Sequence, residues 1–279
     1  MSPSSKSAIV TLAMGAAIEK LDYTFSSFLQ CPGVELHAFI VGKQLPQRRL
    51  PGVEYHLLAP SPDFSHSLRE IYYRRMEILD DLGVRYAMTV DSFDVLCLHP
   101  LPAFDQLLGG AHVAACVEHL GCRYLIGQGY TPTFLNGGVF LWDVPNSRDM
   151  RQEIVARGRR SFRTIADDQF NLNEVIQTKH FDRLRILPTQ YNYRAFLKGT
   201  YKKKRPGWPV VEHLDGVMIY HNASCISELK KLPAFKLRAE LPTLPADGKP
   251  LTEKEQFWRR LGNYYNYSGV EFFPSALIK

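Results

Sequence analysis

The chain alternates between short apolar runs and longer stretches in which apolar residues recur every three or four positions. The short runs end near Gly, Pro or Asp and predict buried strands, whereas the longer stretches predict amphipathic helices. The predicted strands span 7–13, 36–41, 53–58, 86–90, 95–98, 113–118, 134–142, 185–187 and 217–220, and the predicted helices span 18–29, 67–82, 149–160 and a segment from 167 onward. Because strands and helices alternate, we expect an α/β fold with a mostly parallel central sheet.

The pattern becomes irregular near residue 233, where prolines begin to interrupt it. Prolines stand at 233, 242, 245 and 250, and the end of the chain is rich in aromatic residues from Phe257 and Trp258 onward. We therefore expect one domain over residues 1–232 and a C-terminal extension over residues 233–279. The extension mixes aromatic and basic residues, which leaves two placements open: packing on the domain, or peripheral contact with a membrane surface.

Charge narrows the class of partner. The sequence has 34 Lys and Arg against 28 Asp and Glu, a net charge of +6, which favours anionic partners such as nucleic acids, acidic membranes or phosphorylated small molecules. The densest basic run, 202–205, is followed by Pro and Gly. Such a run is more typical of a solvated loop, or of a binding site for an anionic acceptor, than of a nucleic-acid-binding segment. We therefore expect no nucleic-acid partner.

Cysteine content and hydropathy indicate a compartment. The five cysteines form no C-x-x-C pair, and their odd number argues against a disulfide framework. No apolar stretch is long enough to span a bilayer, and the first residues run directly into a predicted strand rather than into the core of a signal peptide. We expect a cytoplasmic protein, with membrane contact only through the C-terminal extension.

Two aspartates close the predicted core strand 86–90. Asp91 and Asp94 therefore lie at the edge of the sheet, where open α/β sheets bind ligands. A turn brings residues i and i+3 within about 7 Å, close enough for both carboxylates to bind one cation. Hard oxygen ligands suit Mg²⁺ or Mn²⁺. The alternative is a turn in which the two acids only cap a loop.

Two further segments place polar residues where core packing does not require them. Asn136, Gly137 and Gly138 interrupt an apolar strand, and glycine in such a position marks either the close approach of a ligand or a β-bulge. Asp168 and Gln169 lie in the first turn of a predicted helix. Helix capping explains one Asp at this place, which leaves the other polar residues to face a cleft and hydrogen-bond a substrate's hydroxyl groups.

An imidazole follows the last predicted strand. His221 emerges where the run 217–220 ends. Neutral His is a common metal ligand and would complete a site with two carboxylates. The alternative is a histidine that simply lies on the surface.

Taken in order, these segments resemble the GT-A glycosyltransferases, and most closely the retaining glycosyltransferase family 8 and the collagen glucosyltransferase domain of lysyl hydroxylases. The Asp-x-x-Asp spacing of residues 91–94 is that of the lysyl hydroxylase domain, residues 136–139 are similar to Asn-Ser/Ala-Gly-Val, and residues 168–173 are similar to Asp-Gln-x-x-Leu-Asn. The resemblance covers about residues 7–232. It implies a single Rossmann-like domain with helices on both faces of the sheet.

The resemblance also implies roles for individual residues. It makes Asp91, Asp94 and His221 the ligands of Mn²⁺ or Mg²⁺, and it makes Asn136, Asp168 and Gln169 the residues that address the donor sugar. The residues that it places against the rest of the donor are Ala13, Met14, Gly15, Arg74, Ser92, Gly137 and Lys230. The lysine that holds the diphosphate in family 8 is replaced by Ser227, so Lys230 or the adjacent Lys231 is the candidate substitute.

We therefore expect a metal-dependent enzyme that moves a hexose from a UDP-sugar to a hydroxyl acceptor, with retention at the anomeric carbon. The acceptor class, whether glycan, glycolipid or protein, stays open. One alternative is a catalytically silent module that binds sugar nucleotides, motivated by Ser227. A phosphatase fits less well, because phosphatases with paired aspartates carry them after the first strand, whereas here they follow the fourth predicted strand.

Overall fold

The computed structural model describes residues 6–62, 67–92, 94–118, 134–160, 167–194, 196–197, 210–211, 214 and 216–221. The strands are β1 Ser7–Met14, β2 Val34–Val41, β3 Glu54–Leu58, β4 Tyr86–Val90, β5 Val95–Cys97, β6 Val113–Val117, β7 Leu135–Asp143, β8 Leu184–Leu187, β9 Phe196–Leu197, β10 Val210–Val211 and β11 Ile219–His221. The α-helices are α1 Leu21–Phe28, α2 Ser67–Glu77, α3 Phe104–Leu108, α4 Arg148–Arg160 and α5 Asp167–Lys179. Short 3₁₀ helices span Gly15–Lys20, Ile78–Asp81, Phe181–Arg183 and Thr189–Tyr191.

Seven strands form the central sheet, in the order β3-β2-β1-β4-β7-β6-β8. Strand β7 runs antiparallel to its neighbours β4 and β6, and the other pairs in the sheet are parallel. Two smaller pairs lie outside this sheet, β5 with β11 antiparallel and β9 with β10 parallel. The predicted α/β fold with a mostly parallel sheet is thus confirmed, and the reversal of β7 is a feature that the apolar runs did not predict.

Helices cover both faces of the sheet. On one face, α2, α4 and α5 contribute Tyr73, Ile154 and Val175 to a buried cluster with the strands. On the other face, α1 and α3 contribute Phe25 and Phe104 to a second cluster. Because both faces are covered, the central strands β1 and β7 are buried along nearly their whole length, which explains why they read as continuous apolar runs rather than alternating ones.

Two predicted helices change type within their length. The helix predicted over 18–29 begins with the 3₁₀ helix Gly15–Lys20 and is α-helical only from Leu21 to Phe28. The helix predicted over 67–82 passes from α2 into the 3₁₀ helix Ile78–Asp81, after which Gly83 at φ +64° turns the chain toward β4. Helix α3 was not predicted, because five residues are too few to show a helical period.

The C-terminal extension and Lys230 lie outside the described residues, so the boundary at 232 and the role of that lysine stay predictions. Among the residues that the structure describes, no helix has both the length and the apolar character needed to cross a bilayer.

Candidate functional site

The predicted metal-binding aspartates lie at the point where the connections of the sheet change direction. From β1 the chain adds β2 and β3 on one side, whereas β4 and the later strands lie on the other side. Open α/β sheets bind ligands in the crevice at such a point, outside the carboxyl ends of the strands. Asp91 directly follows β4, and Ala13 and Met14 are the last residues of the neighbouring β1. The sheet therefore brings the two predicted donor-binding segments to one edge.

The three residues that end β1 differ in what they offer a ligand. Ala13 is fully buried in the core between α1 and the sheet. Met14 is half-buried, and Gly15 is exposed at φ +57°. Of the three predicted nucleotide contacts, only Met14 and Gly15 reach the surface of the crevice, because the side chain of Ala13 points into the packed layer.

The structure brings the three predicted metal ligands together. Strand β11 pairs with β5 so that His221 lies opposite Val95, the residue after Asp94. The Nε2 atom of His221 is 3.3 Å from Asp94 Oδ2 and 3.6 Å from Asp91 Oδ2. His221 and Asp94 are both buried. Two carboxylates and one imidazole, contributed by segments far apart in the chain, thus face one small space.

The donor atoms of this cluster fit a divalent cation. Asp94 Oδ1 is buried and has no hydrogen-bond partner, and such an uncompensated carboxylate oxygen is costly unless a cation is near. Ligand atoms around an octahedral ion with bonds of 2.0–2.1 Å lie about 2.9 Å apart. The separations at His221 are slightly larger than this, so a cation could bind after movements of a few tenths of an ångström.

A buried amide sets the orientation of the imidazole. The Nδ2 group of Asn192 donates to Asn136 Oδ1 at 2.8 Å, so the other end of the amide, Asn192 Oδ1, is the acceptor that faces His221 Nδ1 at 2.8 Å. His221 therefore donates from Nδ1 to this amide, and its Nε2 atom faces the two carboxylates. Metal-ligating histidines are held by outer partners in this way.

The same network continues behind Asn136. The Nδ2 group of Asn136 donates to Glu118 Oε2 at 2.6 Å, and Arg194 Nη1 donates to the same oxygen at 2.6 Å. Asn136 Oδ1 also accepts from the backbone N–H of Gly138 at 2.9 Å. The resemblance implied that Asn136 contacts the donor sugar, which stays a prediction; in the structure its buried side chain links Glu118 to Asn192, the residue that holds the histidine.

Charge around Asp94 favours its ionised form. Burial by itself would raise the pKa of this carboxyl, but nearby His221 and, more weakly, Arg194 hold the pKa below its ordinary value. Asp94 is thus an acceptor-only group at neutral pH, which is the form that binds a cation.

The arginine that reaches the site is Arg75, not the predicted Arg74. Arg75 is buried, and it donates to Asp91 Oδ1 at 2.7 Å, to the Gly137 carbonyl at 2.6 Å and to Asp168 Oδ2 at 3.4 Å. Arg74 instead contacts the Ala59 carbonyl at 2.5 Å and the carboxylate of Glu70. Adjacent residues on a helix point about 100° apart, so only one of the two can face the sheet.

Arg75 also ties two segments of the site into one charged unit. Burial alone would lower its pKa, but the carboxylates of Asp91 and Asp168 raise the pKa above its ordinary value. The Tyr72 ring lies 5.8 Å from the guanidinium carbon, and the pKa of Tyr72 is raised to about 12, mainly by burial and then by the same two carboxylates. Arg75 therefore stays charged and balances both acids.

Two glycines let the strand pass close under the site. A Cβ atom on Gly138 would lie 2.2 Å from His221 Cε1 and 3.0 Å from Asp91 Oδ2. A Cβ atom on Gly137 would lie 3.3 Å from both Asp168 Oδ2 and Gln169 Oε1. Both explanations offered by the sequence hold here. Strand β7 pairs regularly with β4 up to Val139, but its register with β6 shifts between Phe140 and Leu135, an irregularity that contains both glycines. The same two glycines lie beneath side chains of the predicted site.

Helix α5 begins above this strand and holds Asp168 and Gln169 there. Gln169 Oε1 accepts from the Gly137 N–H at 3.1 Å. One turn later, Asn173 accepts from the Leu135 N–H at 2.5 Å and donates to the Leu135 carbonyl at 2.9 Å. These two polar contacts fix the first turn of α5 against β7, so both predicted sugar-binding side chains lie within reach of the metal-ligand cluster. Of the remaining predicted residues, Ser92 is buried beside Asp91.

Sequence reasoning missed Arg75, Asn192, Glu118 and Arg194. A signal existed for Arg75, which stands four residues after Ile71 and four before Leu79 and so shares the apolar stripe of the predicted helix. For the other three the sequence offers no periodic or motif signal. They become visible only through the contacts described above.

Comparison with known proteins gives a structural match without a sequence family. No family model matches the chain, and no curated protein matches it. The galactosyltransferase LgtC, solved in complex with donor and acceptor sugar analogues, aligns with a TM-score of 0.52 and 16% identity over 81% of this chain and 96% of LgtC. An active-site mutant of LgtC aligns with a TM-score of 0.53 and 16% identity, over 80% of this chain and 95% of the mutant.

A further match is the glycosyltransferase GlyE of Streptococcus pneumoniae TIGR4, with a TM-score of 0.49 and 20% identity over 68% of this chain and 47% of GlyE. The chain thus spans about half the length of GlyE. At these identities the alignment with LgtC concerns the fold. This chain has the α/β, Rossmann-like fold of GT-A glycosyltransferases, as its sequence led us to expect.

Proposed function

We propose that this protein is a metal-dependent glycosyltransferase that moves a hexose from a UDP-sugar to a hydroxyl acceptor. The observation that carries the proposal is the convergence of Asp91, Asp94 and His221 on one space at the central edge of the sheet. The fold shared with LgtC, which was solved with donor and acceptor sugar analogues, supports the same class of reaction.

In this proposal the carboxylates of Asp91 and Asp94 and the Nε2 atom of His221 would hold the cation. When bound, Mn²⁺ or Mg²⁺ supplies Lewis-acid stabilisation of the negative charge that grows on a departing diphosphate. Arg75 holds the other oxygen of Asp91, Oδ1, at 2.7 Å, so Oδ2 stays turned toward the histidine. The protein thus positions the carboxylate before the donor arrives, which lowers the cost of reorganisation.

The hexose would lie over Gly137, beside the first turn of α5. Gln169 uses its Oε1 on the Gly137 N–H, which leaves its side-chain NH₂ group to donate to a sugar hydroxyl. Asp168 faces the same strand and is held by Arg75 at 3.4 Å. Fixed polar groups at this place would orient the anomeric carbon toward the acceptor oxygen, and such positioning is a large part of catalysis in group transfer.

Retention at the anomeric carbon is part of the proposal. Within the described part of the chain, the carboxylates around the site are engaged with cationic side chains: Asp91 and Asp168 with Arg75, and Glu118 with Arg194. None of them stands apart as a dedicated general base. An acceptor hydroxyl would then give its proton to an oxygen of the departing diphosphate, as a retaining reaction without a separate base requires.

The experiment is a screen of UDP-sugars for hydrolysis in the presence and absence of Mn²⁺, with the wild-type chain and two matched variants. Asp94→Asn removes one ligand charge and keeps the side-chain shape, and Asp105→Asn makes the same change at an exposed position of α3. We expect Mn²⁺-dependent release of UDP from one hexose donor, lost in Asp94→Asn and retained in Asp105→Asn.

Two outcomes would contradict the proposal. Full activity of Asp94→Asn would remove the metal site from the reaction. Binding of UDP with Mn²⁺, but hydrolysis of no UDP-sugar and no transfer to any hydroxyl acceptor, would instead identify a silent binding module. For an active enzyme, the anomeric configuration of the first-formed product, read by NMR, tests retention separately.

A further inference from the structure

A second cluster of metal-binding side chains lies on the edge of the sheet, apart from the site at Asp91. It consists of His37 on β2 and of Glu54 and His56 on the edge strand β3. The register pairs His37 with Glu54 and Phe39 with His56, so all these side chains share one face. Two strand spacings, about 10 Å, separate β2 from β4. The two clusters have no residue in common.

The distances within the cluster suit a tetrahedral metal site. His37 Nδ1 and His56 Nε2 are 3.0 Å apart. The carboxylate of Glu54 lies 3.6 Å from each of these nitrogens, through Oε2 and Oε1 respectively. With Zn–N bonds of 2.0–2.1 Å, neighbouring ligands in a tetrahedral zinc site lie about 3.4 Å apart. The two separations from Glu54 are close to this spacing, and the two ring nitrogens would have to part by about 0.4 Å to reach it.

A carboxylate behind the cluster orients His37. Glu35 Oε2 lies 3.4 Å from His37 Nε2, and Glu35 is itself paired with Lys6 at 2.8 Å. A proton held on Nε2 by this carboxylate leaves the lone pair of Nδ1 directed toward His56 and Glu54. A carboxylate, a histidine and a metal in line form a common arrangement in zinc sites.

The second histidine is held by stacking. The ring of Phe39 lies over His56 with centroids 4.3 Å apart and an interplanar angle of 14°. Glu54 is exposed, with 66% of its side chain accessible, which gives an ion and a water ligand access from solvent.

We propose that His37, Glu54 and His56 form a second metal site that takes up Zn²⁺, with a solvent molecule as the fourth ligand. Imidazole ligands favour zinc over the hard ions expected at the carboxylate-rich site. Binding would move the proton of His56 from Nε2 to its other ring nitrogen and would add a cross-link between β3 and β2, which are already paired. This site is independent of the proposed transferase activity.

The test measures zinc bound per chain, by equilibrium dialysis and metal analysis, with the untagged chain of 279 residues. His56→Gln and Glu54→Gln remove a ligand, and His99→Gln is the matched control because His99 is exposed and outside both clusters. We expect His56→Gln to bind one zinc fewer than the wild type and to lose the zinc-induced rise in Tm. His99→Gln should keep both, and Co²⁺ in place of zinc should give the absorption spectrum of a tetrahedral site.

Two additional variants make the result specific. Glu35→Gln should weaken zinc binding about 10- to 100-fold, because it removes only the outer partner of His37. Asp94→Asn should keep the zinc-induced rise in Tm, which separates this site from the proposed catalytic one. Unchanged zinc stoichiometry and Tm response in both His56→Gln and Glu54→Gln would overturn the proposal, as would a lower Tm in these variants with an unchanged response to zinc.

Discussion

Replacing Gly138 by alanine should destroy the proposed metal site while leaving the chain folded. The added Cβ atom would lie 2.2 Å from His221 Cε1, 2.9 Å from His221 Nδ1 and 3.0 Å from Asp91 Oδ2. Carbon atoms in contact prefer about 3.5–4.0 Å, so the imidazole would have to retreat by about 1.3 Å. Metal–ligand distances tolerate only about 0.2 Å, and the same movement breaks the bond to Asn192.

The expected magnitudes follow from this displacement. Loss of outer partners of a metal ligand already lowers affinity about 10- to 100-fold, so displacement of the ligand itself should weaken Mn²⁺ binding by about 100-fold or more. Overpacking in a buried site costs about 1–3 kcal/mol of unfolding free energy. That cost leaves a domain of this size folded but measurably less stable.

The adjacent glycine provides the matched control. A Cβ atom on Gly137 would lie 3.3 Å from Asp168 Oδ2 and from Gln169 Oε1, a separation that movements of a few tenths of an ångström relieve. Gly137→Ala should therefore bind Mn²⁺ as the wild type does and should weaken only the use of a sugar donor. Mn²⁺ affinity is measured by electron paramagnetic resonance of the free ion, and folding by cooperative urea denaturation. A folded Gly138→Ala with wild-type Mn²⁺ affinity would refute the reasoning.

Three other substitutions test separate contacts. Asn192→Leu removes the acceptor that holds His221, so calorimetry should show the affinity for Mn²⁺ reduced about 10- to 100-fold. An unchanged affinity would mean that Asn192 does not orient the imidazole of His221. Arg75→Lys should lower the free energy of unfolding in urea by about 2 kcal/mol, the value of a lost charged hydrogen bond, and should reduce hydrolysis of the sugar donor. Arg74→Lys should leave hydrolysis unchanged, and equal effects of the two variants on hydrolysis would contradict the placing of Arg75 in the site. The hydrogen bonds from Arg183 lower the pKa of Asp149, so this pair stabilises the fold above about pH 4, the pKa of Asp in the unfolded chain, and loses that contribution as the pH falls. Asp149→Asn should therefore make the urea midpoint decline less at acid pH, by no more than about 1 kcal/mol because the carboxylate is exposed. An unaltered decline would count against a stabilising role of the pair.

The two adjacent arginines Arg74 and Arg75 show what the local sequence pattern can predict about the site. The resemblance pointed to Arg74, because in the family that it names an arginine stands seventeen residues before the first metal-binding aspartate, here 91 − 74 = 17. The helical period would have pointed to Arg75, which shares a face with Ile71 and Leu79. The helical period predicts the buried residue better, because it identifies the side of the helix that faces the sheet. A spacing taken from a resembling family names the neighbouring residue as soon as the helix is displaced by one position.

The sequence by itself determined the succession of the longer strands and helices and the placing of Asp91 and Asp94 directly after a core strand. These features are local, because burying one face of a helix or strand requires apolar residues at a regular spacing along the chain. Only the tertiary structure decided that β7 runs antiparallel, that β11 pairs with β5 and carries His221 to Asp94, and that Asn192 orients the imidazole. Such pairings join segments that are far apart in the chain, and contacts of this kind depend on backbone hydrogen bonds and packing that leave no period in the sequence.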